Sequence, residues 1–211
     1  MSAARANLFI LGAPKCGTTA LAQWLGSHAR IYMAPTKEPH HFSEEYCLTP
    51  SRAAYAALFA GANPSQHRYL GEASVWSLYS PTALPNLLRY QPEATCIAML
   101  RSPLEMIPSL HQQQRVNGNE LYPCLETALA AHDARMRGEP AGVRSGYPPE
   151  HLAYLHSCSL GWQLERAAAL LPPQRLYLVF YEDFAADPAR VYAELLAYLG
   201  LAYEPPPSFA R

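Results

Sequence analysis

The residues with the clearest chemical potential sit in the stretch "NLFILGAPKCGTTAL", residues 7–21. Gly12 and Gly17 bound a loop that holds a lysine, Lys15, and two threonines, Thr18 and Thr19, follow the second glycine. The glycines have the spacing of G-x-x-x-x-G-K-[ST], but that phosphate loop sets its lysine after the second glycine, where this chain has Thr18. Between a strand and a helix, the backbone N–H groups of Cys16, Gly17, Thr18 and Thr19 converge on an anion, assisted by the helix dipole. Lys15 adds a mobile point charge and the threonines add hydroxyl donors, so the chemistry is anion binding. A second stretch, "TKEPHHFSE", sets Lys37, Glu38, His40 and His41 side by side. His40, His41 and Glu44 are close enough in sequence to raise a metal site. Adjacent histidines on one loop do not readily share an ion, and no third ligand cluster accompanies them, so no metal is expected.

Those residues need elements to hold them. "NLFIL" ends in Gly12 as a buried strand feeding a turn does, and the next segment places Leu21, Trp24 and Leu25 on one helical face. "RYLGEAS", "ATCIAMLRSP" and "RLYLVFYEDF" are buried-strand runs that end in polar residues, and a short strand is expected at 31–33. Strands alternating with helical segments predict an α/β fold with a central parallel sheet flanked by helices. Helices are expected over 81–90, 104–116, 122–137, 149–171 and 188–199, and "SRAAYAALFAGA" also has helical spacing. Pro81, Pro103, Pro149 and Pro188 fall near helix starts, where the missing N–H costs nothing. Pro108 lies inside a helix and should kink it. The segment 138–149, "GEPAGVRSGYPP", is expected to be a mobile loop.

A chain of 211 residues suits one domain spanning 1–211. Its 16 Lys and Arg against 17 Asp and Glu produce no global field, which argues against nucleic acid as a partner and makes any anion site local. Five separated cysteines without a C-x-x-C pair fit neither a disulfide framework nor a zinc module, and point to the reduced cytoplasm. The apolar run at 8–11 is far too short to span a membrane, and no leader pattern follows it.

With these features in place, "PKCGTTAL" resembles the 5′-phosphosulfate loop, P-K-[SCT]-G-T-[ST], of the sulfotransferases that use 3′-phosphoadenosine 5′-phosphosulfate (PAPS). The resemblance implies a P-loop NTPase-like fold in which Lys15 addresses the oxygen bridging phosphate and sulfate. Cys16, Gly17, Thr18 and Thr19 would bind the same cofactor. It further implies that Arg101 and Ser109 of "LRSPLEMIPSLHQQQR" bind the cofactor's 3′-phosphate, although Ser102 and Met106 depart from the usual R-[DN]-P-x-x-R-x-x-S form. "KEPHHF" resembles the K-E-P-H-F-F segment of heparan-type and many bacterial sulfotransferases, which makes Glu38 the catalytic base and His40 its support. His41, standing where Phe is common, is a secondary candidate. "LGEASVWSLYSP" resembles G-E-K-[ST]-P-x-Y-L, with Glu72 and Ser74 retained and Ala73 in place of the lysine, so that positive charge falls to Lys15 and Lys37. "LYLVFYEDFAADPARVYAELLAYLGL" matches the family's late strand and helix, with Glu182 and Asp183 as caps or core braces. Many relatives continue with a basic, glycine-containing segment that closes over the 3′-phosphate, which this chain, ending at Arg211, is expected to lack.

The implied activity is metal-independent transfer of a sulfuryl group from PAPS to a hydroxyl, or else an amine, of a small-molecule or glycan acceptor. A P-loop nucleotide kinase is the alternative that the missing Lys-[ST] after Gly17 argues against. A family member that binds nucleotide without turnover is the alternative that Ala73 and Met106 keep open. Trp76, Tyr79, Tyr147 and Trp162 are candidates to line an acceptor pocket, though such side chains are usually core. The loop 138–149 is the candidate acceptor lid. Neither acceptor identity nor oligomeric state is legible in the residues.

Overall fold

The computed structural model describes residues 5–209. In chain order the elements are β1 (Leu8–Gly12), α1 (Thr18–Gly26), β2 (Ile31–Met33), α2 (Arg52–Ala57), β3 (Tyr69–Ala73), α3 (Ala83–Tyr90), β4 (Thr95–Leu100) and α4 (Pro103–Val116). They continue through α5 (Leu125–Ala130), α6 (His132–Met136), α7 (Tyr154–Ser157), α8 (Leu160–Leu170), β5 (Leu176–Phe180), α9 (Tyr181–Ala186) and α10 (Pro188–Tyr198). Of the described residues, those up to Leu100 and from Glu165 onward form one compact unit, and Arg101–Leu164 form a second.

The first unit is built on a five-stranded sheet in the order β2-β3-β1-β4-β5, with every pairing parallel. The expected α/β fold is therefore observed. β1 is buried at all five positions, which is why it reads as an unbroken apolar run and sits mid-sheet. After β1 the chain moves to β2 at one edge and returns through β3 to β1's flank before crossing to β4. The crossing makes the carboxyl end of β1 a topological switch point, where such sheets bind ligands. α1 packs on β1, β2 and β3. Trp24 of α1 lies 4.6 Å ring to ring from Phe184 of α9, and its carbonyl accepts from the Tyr192 hydroxyl of α10 at 3.1 Å. The Asp187 carboxylate, rather than Glu182 or Asp183, caps α10 by accepting from Arg190 N at 3.0 Å.

In the second unit α4 turns Met106, Leu110, His111 and Gln114 inward. It runs unbroken past Pro108, because the carbonyl left without a donor belongs to Leu104, which is 86% exposed and open to water. The single helix expected over 149–171 is instead a 3₁₀ turn (Pro149–Leu152) followed by α7 and α8. The Gln163 side-chain amide donates to the Ser157 and Ser159 carbonyls at the junction, replacing the helical bonds there. The helix expected over 122–137 likewise divides into α5 and α6 at Ala131. The loop 138–149, irregular as expected, is exposed at 138–140 and 144–146 and tied to its neighbours between them. Val143 and Tyr147 are buried, Leu121 N donates to Gly142 O at 2.8 Å, Arg144 N to Asn119 O at 2.9 Å, and Arg135 Nε to Ala141 O at 3.0 Å. Its glycines and prolines mark turns.

Among the described residues, no helix is long and apolar enough to cross a membrane.

Candidate active site

The loop from Gly12 to Thr18 leaves the carboxyl end of β1 and enters α1. Gly17 is the N-cap of α1 at φ +88°, and a Cβ there would lie 3.1 Å from Phe184 Cε1, so both backbone and packing require glycine. No side chain caps the helix, so the N–H groups of its first turn are directed at whatever anion the loop receives. Lys15 stands in the loop at φ +65°.

A second segment of the same unit brings the proposed base to this loop. Lys37 Nζ donates to Thr18 Oγ1 at 3.3 Å and pairs with Glu38 Oε1 at 2.6 Å. The other carboxylate oxygen, Oε2, accepts from Val75 N at 2.8 Å and lies 3.1 Å from His40 Nε2. His40 is 3% exposed, and its Nε2 faces Glu38 while its Nδ1 has no hydrogen-bond partner. His41 turns elsewhere: it stacks on Tyr55 at 4.2 Å, and its Nδ1 meets the Thr49 carbonyl, so it takes no part in this cluster.

The segment that follows β3 is the template for both residues. Glu38 N donates to Ala73 O at 2.9 Å, and His40 N donates to Ser74 Oγ at 3.1 Å, which itself donates to Glu72 Oε2 at 2.8 Å. The template holds a strained backbone. Lys15, Glu38 and His40 are the only non-glycine residues at positive φ among those described, at +65°, +60° and +45°. Each such residue costs roughly 1–2 kcal/mol, and Pro39 after Glu38 further narrows that residue's allowed conformations. Strain of this kind persists only where neighbours over-determine it, and it gathers at functional sites.

Burial pushes the Glu38 carboxyl up, but the His40 hydrogen bond and the charge and hydrogen bond of Lys37 outweigh it and hold the group below its ordinary value. It is therefore ionised near neutrality, as a base must be. Glu72 is the opposite case. Burial pushes it up to about 8, with the Ser74 hydrogen bond opposing and the Glu38 charge reinforcing the shift. At neutral pH it is an uncharged acid, which spares the site a second anion beside Glu38. From the ordinary value of 4.5 up to about 8, the folded chain keeps this proton while the unfolded chain loses it. Stability from this group is thus complete below 4.5 and declines as pH rises to about 8. Glu72→Gln, which keeps an acceptor for Ser74, is expected to flatten that decline in urea midpoints measured across the window; an unaltered slope would refute the assignment.

In the second unit, Arg101 directly follows the last residue of β4, and Ser109 lies on α4. The Arg101 fork closes on its own helix, with Nε and Nη2 donating to Glu105 Oε2 at 3.1 and 2.9 Å. Glu105 is 60% exposed, so this is a weak pair. Met106 is fully buried, which explains an apolar residue where the motif has its second arginine. Trp76 and Tyr79 are buried against each other at 5.8 Å, and Tyr147 packs on His151 at 5.6 Å. These three belong to the packing of their units. No group of three or more His, Cys, Asp or Glu that could hold a metal ion occurs among the described residues.

Three residues gain importance from the structure. Lys37, expected only to carry positive charge, and Glu72 and Ser74, noted only as retained motif residues, carry the wiring around Glu38.

Residues 5–207 match the family model of the sulfotransferase domain. Among solved structures, a sulfotransferase from Alicyclobacillus acidocaldarius aligns with a TM-score of 0.85 and 27% identity, over 99% of this chain and 86% of that one. The sulfotransferase domain from the curacin biosynthetic pathway aligns with a TM-score of 0.63 and 19% identity, over 97% and 77% of the two chains. Mouse sulfotransferase SULT7A1, solved in complex with PAP, aligns with a TM-score of 0.55 and 19% identity, over 95% and 61%. A search of curated protein sequences returned no match.

Proposed function

The chain belongs to the sulfotransferase domain family, and we propose that its donor is PAPS and its acceptor a hydroxyl group of a small molecule or glycan. The observation that carries this reading is the link made by Lys37 between Thr18 of the anion loop and Glu38, which sets a carboxylate base within one side chain's reach of the bound donor. The acceptor oxygen attacks sulfur while its proton passes to Glu38, and the bond from sulfur to the 5′-phosphate oxygen breaks with its electron pair leaving on that oxygen. Lys15 and the first-turn N–H groups of α1 offset the charge developing on the leaving oxygen. His40 and Val75 N keep the Glu38 carboxylate oriented. Arg101 and Ser109 are the proposed ligands of the 3′-phosphate, the group that distinguishes PAPS from ATP. This chemistry places no demand on a metal. None of the five cysteines forms a disulfide, which supports a reducing compartment such as the cytoplasm.

Calorimetry separates this reading from that of a nucleotide kinase. Adenosine 3′,5′-bisphosphate is expected to bind without a divalent cation and more tightly than ATP with magnesium. Tighter, magnesium-dependent binding of ATP would overturn the donor assignment. A screen of hydroxyl and amine acceptors with labelled PAPS then identifies the acceptor.

A further inference from the structure

Lys37 is anchored to two groups that do different jobs. Its ammonium bonds Thr18 Oγ1 on the first residue of α1 and Glu38 Oε1 on the base, with its side chain 30% exposed. The two oxygens of Glu38 are not equivalent. Oε2 is claimed by Val75 N and His40 Nε2, both held by the β3 template, whereas Oε1 receives Lys37. Removing Lys37 from this pair would uncover Oε1 and leave the carboxylate aimed.

We propose that Lys37 is a catalytic residue that changes partner in the reaction: it covers Glu38 Oε1 in the free enzyme and moves to the phosphosulfate when the donor enters the loop, so that the base is released only in the loaded enzyme. This rests on the reading that the loop accepts PAPS. The physical basis is competition for one ammonium. A donor phosphosulfate carries more negative charge than a carboxylate and would lie beside Thr18, to which Lys37 is already bonded. The lysine stem is flexible and its head a point charge with three donors, so the exchange needs only side-chain rotation. The charged and titratable groups around Glu38 are Lys37 and His40 on its own segment and Glu72 from β3. Of these, Lys37 is the one that also bonds the anion loop. Burial works to raise the Glu38 carboxyl and Lys37 helps to hold it down, so departure of the lysine makes a stronger base at the moment one is needed. A base masked until the donor binds also keeps an acceptor proton from being drawn off unproductively.

The test compares wild type, Lys37→Met and Lys37→Arg by calorimetry with adenosine 3′,5′-bisphosphate and by pH-dependent kinetics. Lys37→Met is expected to weaken bisphosphate binding about 10-fold and to lower kcat about 100-fold. It should also move the acid limb of kcat/KM for PAPS to higher pH, because Glu38 in the free enzyme has lost its cation. Lys37→Arg, which keeps the charge, should recover affinity and limb position toward wild type and shows that the effect is not one of misfolding. If wild type binds bisphosphate and Lys37→Met binds it equally well, Lys37 does not reach the anion and the exchange is overturned while the donor reading stands. If wild type binds no bisphosphate, the donor reading fails and the exchange falls with it.

Discussion

Glu38→Gln is expected to lower sulfuryl transfer by about 10²- to 10⁴-fold without weakening the binding of adenosine 3′,5′-bisphosphate. Glutamine keeps an oxygen to accept from Val75 N and His40, so the strained loop retains its main anchors. It cannot take a proton from an acceptor hydroxyl, and it cannot pair with Lys37 as an ion. Bisphosphate binding should therefore be unchanged or tighter, since the ammonium is freed toward the loop. The pH profile sharpens the assignment. Because Glu38 lies below its ordinary value in the free enzyme, wild-type kcat/KM for PAPS should fall only as pH drops well into the acid range, and the variant's residual activity should lack that limb. Near-normal turnover in Glu38→Gln, measured with labelled PAPS on an accepted substrate, would remove Glu38 from the mechanism.

Arg135→Met is expected to destabilise the protein by about 3–5 kcal/mol, the largest stability effect anticipated outside the active site. Arg135 and Glu120 both have side chains at 0% exposure and meet at 2.9 Å within the second unit. The guanidinium also donates to the Ala141 and Leu152 carbonyls, at 3.0 and 2.7 Å, and lies over the Tyr122 and Tyr154 rings at 5.5 and 5.8 Å. Glu120 accepts in addition from Tyr122 N and the Tyr154 hydroxyl, at 2.8 and 2.9 Å. Methionine fills most of the volume but leaves Glu120 as a buried charge without its cation and two carbonyls without donors. Adding Glu120→Gln, which removes the charge and keeps one acceptor oxygen, should recover part of the loss. Urea denaturation decides the matter: a single variant within about 1 kcal/mol of wild type would mean that the pair is not a load on the fold.

The loop 138–149 shows where a reading from sequence stops. Gly138, Gly142 and Gly146 with three prolines mark turns correctly, and composition of that kind is shared by mobile and fastened loops alike. What holds its middle is Arg135 and Asn119, whose contacts with Ala141 and Arg144 depend on how the chain folds back on itself. Met106 makes the same point: in the sequence it is a departure from a motif, and in the structure it is a core side chain.

Local order was legible. The apolar runs at β1, β3, β4 and β5 marked the strands of the parallel sheet, but β5 is an edge strand that leaves Leu178 and Phe180 exposed rather than the buried strand its run suggested, and the loop after β1 suggested an anion site because its glycines, lysine and threonines are contiguous. Glu38 and His40 were likewise marked by neighbours in the chain. The tertiary structure alone decided that Lys37 joins Thr18 to Glu38, that Ser74 and Glu72 hold the His40 backbone, and that Glu72 is a neutral acid. Each of those facts links residues from separate stretches of the chain, brought together by a sheet in which β1 lies between β3 and β4. Spacing along a chain encodes which groups share a turn or a face. Which groups share a site is set by strand order and by burial, which change the partners and the proton affinity of a side chain without changing its name.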